Sequence, residues 1–131
     1  MAQCKMQNAD RKMQNRIDLS EWLLDFAASS IKLTVKLKRT AIGRYMANQL
    51  MRAASSSGAN YEEARGAESK ADFIHKLQLV LKELREALYW LKLVERSGLI
   101  LGNELKTLLD EANELIKIVA KSVITAKVKG K

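Results

Sequence analysis

Proline is missing from all 131 residues, and cysteine and histidine occur once each, as Cys4 and His75. Without proline nothing obliges a helix to kink or stop, and only six glycines remain as natural break points. A lone cysteine excludes an intrachain disulfide, so buried apolar side chains have to hold the fold together. One histidine with no second histidine or cysteine near it in sequence is not the ligand set of a zinc site. There is no Gly-rich phosphate loop, Cys-x-x-Cys pair or nucleophile elbow, and Ser55 to Ser57 have no base beyond His75. These absences predict a protein that is not an enzyme and carries no metal or cofactor. No apolar run reaches the roughly 20 residues of a membrane span, and the polar opening MAQCKMQNADRKMQNR lacks the apolar stretch of a secretory signal. A cytoplasmic protein that does not enter membranes is expected.

What the chain does contain is apolar content, 47% of it, rich in Ala, Leu and Ile beside Lys and Glu. That composition favours long helices around one core, and the length suits one domain. The spacing predicts four amphipathic segments. The first, 18–37, opens on Asp18 and Glu21 as a capping-box-like start and offers Leu19, Trp22, Leu23, Phe26, Ile31 and Val35, with Ala27, Leu33 and Leu37 widening the face. The second, 42–65, runs through Ala53-Ala54-Ser55-Ser56-Ser57-Gly58-Ala59, which alone would read as a linker. Its flanks keep helical spacing, through Met46, Leu50, Ala53, Ser57 and Ala64, and its small side chains would let a neighbour approach closely. Gly43 belongs either to the turn before it or to its opening. The third, 70–96, repeats Phe73, Ile74, Leu77, Val80, Leu81, Leu84, Leu88, Leu91 and Val94, and Ser97-Gly98 ends it. The fourth, 103–127, repeats Leu105, Leu108, Leu109, Ala112, Leu115, Ile116, Val119 and Val123. Four such segments with short turns predict an all-α, antiparallel up-down-up-down four-helix bundle over 18–127, a flexible basic arm at 1–17 and a basic tail at 128–131.

Charge points outward. The net charge is +8, unevenly spread: residues 1–52 hold 10 basic and 4 acidic groups, residues 53–114 hold 8 and 11, and residues 115–131 hold 5 and none. Lys32, Lys36 and Arg39 share a helical spacing with Lys38 adjacent, and Lys121, Lys127, Lys129 and Lys131 form a basic C-terminal tract. In an antiparallel bundle these groups lie at opposite ends. Phosphate contacts with RNA or DNA are the expected use, and an acidic protein partner is the alternative; individually, each lysine also reads as an ordinary solvated charge.

A polar stripe accompanies the apolar seam of the second segment. Gln49, Arg52, Ser56, Asn60 and Glu63 are three, four, four and three residues apart, which puts them on one helical face. Glu83 and Glu86 of the third segment are the natural carboxylates for Arg52, giving a structural network with Ser56 and Asn60 around the pair. Paired carboxylates also suit acid–base or metal chemistry, but the repeated Glu-x-x-His of a di-iron bundle is missing. Leu79, Trp90 and Leu93 flank the main seam and read equally as widened core or as an oligomer interface.

These residues carry a resemblance. Gln49-Leu50-Met51-Arg52-Ala53-Ala54 with Ser56, Asn60 and Glu63, followed by Asp72-Phe73-Ile74-His75-Lys76-Leu77 running to Lys82-Glu83, Glu86 and Tyr89-Trp90-Leu91, resembles the 23S rRNA intervening-sequence family of four-helix bundle proteins. Both blocks stand in the expected order, and the similarity spans roughly 18–125. Ser57 and Tyr61 depart from commonly aliphatic positions, and Gly58 stands where proline or another small residue is frequent. The resemblance implies a homo-oligomer, with a pentamer known among relatives, and a nucleic-acid connection. It extends to the accessory proteins of diversity-generating retroelements, which implies a reverse transcriptase as a further possible partner.

Overall fold

Short polar or glycine-bearing turns set the limits of four helices in the computed structural model, which describes residues 15–129, and of residues 15–18 the backbone alone. They are α1 (Asn15–Leu37), α2 (Ala41–Arg65), α3 (Lys70–Ser97) and α4 (Asn103–Val128). Thr40 caps α2 by accepting from the Gly43 amide at 3.0 Å, and Ser69 caps α3 by accepting from the Asp72 amide at 3.0 Å. Each cap satisfies one of the free N–H groups that a helix start leaves over. Gly98 ends α3 in the left-handed region with φ 71°, where a side chain would be strained. The expected start at Asp18 is corrected: α1 already begins at Asn15, so Asp18 lies inside it, whereas an N-cap needs non-helical backbone. Residues 1–14, most of the expected arm, lie outside the described residues.

Cross-helix pairs show that neighbours run antiparallel. Ser20 donates to Glu62 and Leu23 lies against Gly58 between α1 and α2; Arg52 meets Glu86 and Lys76 meets Glu63 between α2 and α3. Lys36–Glu104 and Trp22–Glu111 join α1 to α4, so the last helix returns beside the first. Among the described residues there is no strand, and the fold is the expected all-α four-helix bundle.

The core follows the periodicity in α2, α3 and α4. Leu50, Leu77, Val80, Leu84, Leu91, Val94, Leu115 and Val119 are almost wholly buried, each contributing roughly 1.5–3 kcal/mol of transfer free energy. The small-residue run is helical. Ala53, Ala54 and Ser57 are fully buried, Ser57 donates its hydroxyl to the Ala54 carbonyl at 2.7 Å, and a side-chain carbon on Gly58 would sit 3.7 Å from Leu23. Small side chains there let α1 and α2 pack closely. Tyr61 is half-buried against the same core.

One expected face is wrong. Ile31 and Val35 are 41% and 68% exposed, while Ser30 and Thr34 occupy the interior. Steps of three and four from Trp22, Leu23 and Phe26 lead to Ser30, Leu33, Thr34 and Leu37, and geometry outweighs side-chain polarity. Thr34 offsets its burial by donating to the Ile31 carbonyl at 2.5 Å; the Ser30 hydroxyl is buried with no partner among the described residues.

Candidate nucleic-acid interface

The helix termini sort the expected cations into two groups. Lys32 and Lys36 lie on exposed α1 and line a groove against Asn103, Glu104 and Thr107 of α4; Lys36 reaches Glu104 at 3.3 Å. α1 stops at Leu37, so Lys38 and Arg39 occupy the α1–α2 turn, and Arg39 does not continue the helical face of Lys32 and Lys36. Both are exposed. Arg44, one turn into α2, donates from Nη1 to the Lys38 carbonyl at 3.5 Å and adds a further cation to this end of the bundle. Lys121, Lys127 and Lys129 are exposed along the end of α4, at the other end of the bundle, and Lys131 lies outside the described residues. There they share the surroundings of Glu62, Glu63, Glu68 and Asp72, which the α2–α3 turn brings to the same end. Among the described residues, the end carrying Lys38, Arg39, Arg44 and Arg96 holds the carboxylates Glu95 and Glu104, whereas Arg65, Lys70, Lys121, Lys127 and Lys129 share the other end with four carboxylates.

The polar stripe of α2 divides into separate contacts. Arg52 grips both carboxylates from α3: Nη1 lies 3.3 Å from Glu83, and Nη2 bonds to Glu86. Hydrogen bonding and charge from Arg52 hold the Glu86 carboxyl below its usual range, and the same bond to Glu86 raises the Arg52 guanidinium. Trp90 also contributes to the lowering at Glu86, although its buried Nε1 makes no hydrogen bond of normal geometry. Glu63 pairs instead with Lys76 at 3.0 Å, and Asn60 donates to the Ser56 carbonyl at 2.9 Å in its own helix. Gln49 and the Ser56 hydroxyl make no side-chain hydrogen bond among the described residues. Glu83 and Glu86 therefore serve as anions for one arginine. No group of three or more metal-ligating side chains occurs among the described residues.

Sequence inspection missed a second cationic feature. Lys82, Arg85, Tyr89, Lys92 and Arg96 follow one another by three, four, three and four residues, and all are exposed on the outward side of α3. None of the four cations makes an ion pair among the described residues. Tyr89 is joined by Tyr45 of α2, both more than half exposed, with the Trp90 indole between them: ring centroids are 5.2 and 5.7 Å away and nearly perpendicular. The signal was the heptad-like spacing, hidden because charge summed over residues 53–114 is net acidic, although α3 itself carries six basic and four acidic side chains.

Trp90 and Leu93 pack against the core and are half-buried, as is Leu79. Ile42, Leu101, Ile124 and Val128 are exposed elsewhere, and α1 carries an apolar row on one face. Leu24, Ala28, Ile31 and Val35 form a continuous row, bordering a groove whose other wall is Ser55, Gly58 and Ala59 of α2. No helix among the described residues is long and apolar enough to cross a membrane.

Comparison with known proteins adds the lineage. Curated proteins return no match. A solved structure from Bacteroides thetaiotaomicron, described as a protein of unknown function from the S23 ribosomal protein family, is similar at 32% identity and a TM-score of 0.72, over 79% of this chain and 96% of that one. The family model described as 23S rRNA-intervening sequence protein matches residues 17–121. That span takes in nearly all of α1, the whole of α2 and α3 and most of α4, including the Arg52 clasp and the seam it borders, and the chain belongs to the 23S rRNA-intervening sequence protein family.

Proposed function

We propose that the protein is a non-enzymatic, cytoplasmic, oligomeric bundle that binds RNA or DNA by phosphate contacts at the end carrying the α1–α2 turn. The observation that carries this reading is the gathering of exposed Lys38, Arg39, Arg44 and Arg96 where few carboxylates answer them. Cations on turns and helix ends meet phosphates without reading bases, so binding is salt-sensitive and nearly sequence-independent. The distant Lys121, Lys127 and Lys129 contribute less, because acidic residues share their end.

The test is binding of labelled RNA and DNA across a salt series. Replacing Lys38, Arg39 and Arg44 by glutamine is expected to flatten the log–log salt slope by about 2–3, at about 0.7–0.9 per phosphate contact. Replacing Lys70, Lys76 and Lys117, all away from that end, serves as the control. Equal losses in both sets, or no binding at low salt, reject the end-localised site.

A second reading rests on the apolar row of α1: a scaffold or accessory subunit that docks a protein, for which a reverse transcriptase is the partner suggested by resemblance. Failure of nucleic-acid binding together with a functional requirement for Ile31 favours it.

A further inference from the structure

Building on the nucleic-acid reading, we propose that the outward face of α3 is a binding track for single-stranded nucleic acid. Its phosphates run along Lys82, Arg85, Lys92 and Arg96, and its bases stack on Tyr89 and Tyr45. From Lys82 to Arg96 the track is about 21 Å long at 1.5 Å per residue, room for several nucleotides.

Three observations converge. The stripe itself carries no acidic residue: Glu83 and Glu86 are turned to the α2 flank and held there by Arg52, and Glu95 beside Arg96 forms no ion pair, so the four outward cations stay without ion-pair partners among the described residues. A solvated face has no need of a tyrosine between two pairs of cations, yet Tyr89 stands there 58% exposed and Tyr45 beside it is 59% exposed. Both rings are already placed, because each sets edge to face on Trp90, so little rotamer freedom is lost when a base arrives.

The aromatic pair is what selects the strand type. Lysine and arginine alone attract any polyanion, whereas a flat ring gains only from a base whose face is free. A duplex keeps its base faces covered and would use the cations alone. Stacking tolerates every base, so the track discriminates single from double strand and hardly discriminates sequence.

The experiment measures fluorescence anisotropy of labelled oligouridylate, oligothymidylate and a mixed-sequence duplex with the full chain. Single strands are expected to bind more tightly than the duplex at equal salt. Tyr89→Ala is expected to weaken single-strand binding about 5- to 100-fold and leave duplex binding unchanged, which also shows the variant to be folded; Tyr89→Phe keeps the affinity. Changing Lys82, Arg85, Lys92 and Arg96 together to glutamine is expected to reduce the single-strand salt slope by about 2.8. Equal affinity for single strand and duplex, or unchanged single-strand affinity of Tyr89→Ala, overturns the track while general electrostatic binding stands. Polyglutamate binding as tightly as the oligonucleotides overturns it in favour of an acidic protein partner. Absence of binding to every nucleic-acid probe at low salt removes the underlying reading as well.

Discussion

Two glycines of α2 show how differently one residue type is used. A side-chain carbon at Gly43 would lie 1.8 Å from the Leu37 carbonyl oxygen, because the turn after α1 folds its last carbonyl onto the first turn of α2. At Gly58 the nearest atom is Leu23 Cβ at 3.7 Å, an ordinary contact. Gly43→Ala therefore has to displace backbone and is expected to cost about 1–3 kcal/mol, in the range of overpacking. Gly58→Ala is expected to be neutral or stabilising by up to about 1 kcal/mol, since alanine favours a helix interior over glycine. Urea denaturation of both variants checks the contrast; equal effects would mean that the turn yields. Sequence alone left Gly43 open between turn and helix, since nothing local reveals where the Leu37 carbonyl lands.

At the level of helices, the Arg52 clasp ties α2 to α3 and gives the bundle an acid-sensitive contact. Glu86 has its carboxyl lowered by Arg52, so its contribution is fully present above the ordinary carboxylate range and is lost as pH falls through the lowered value. Arg52 stays charged throughout. The pair is partly solvated, so Glu86→Gln is expected to cost no more than about 1 kcal/mol near neutral pH. That difference should shrink as pH falls below the ordinary carboxylate range and close below the lowered value of Glu86, where the native carboxyl also loses its charge. Urea melts of both proteins near neutrality and in acid measure it; a gap that persists in acid would show that packing, not charge, supplies the effect. This clasp was legible because i, i+3 and i+4 spacing put Arg52 and the two glutamates on facing helices. The wider network was not, since Glu63 is drawn to Lys76 and Asn60 to its own helix. On α1 the eye followed apolar identity to Ile31 and Val35, while the helix continued its turn to Ser30 and Thr34. On α3 the reverse occurred: a charge count over all of residues 53–114 concealed a row that helical spacing separates cleanly.

Taken as a whole, the bundle presents outer faces of different character: apolar on α1, cationic with a tyrosine on α3, and mixed in charge on α4. The division suits a protein that joins copies through one face and holds a polyanion on another, and the α1 row decides whether that division is used. Leu24 is 60% exposed and Val35 68%, and the row borders an apolar groove, so about 25 cal/mol per Å² is available to whatever covers it. Trp90 and Leu93 have less to offer, because much of their surface is already packed within one chain. Light scattering of the native protein is expected to give a multiple of the 14.8 kDa chain mass, with the pentamer favoured by family resemblance. Ile31→Glu, with Leu24→Glu beside it, is expected to lower that mass toward the monomer and leave the helical circular dichroism intact, since neither side chain supports the core. Trp90→Ala is expected to reduce thermal stability more than assembly. A native protein that stays monomeric across the micromolar range refutes self-association; an assembly unmoved by the α1 charges but dissolved by Trp90→Ala returns the interface to α3.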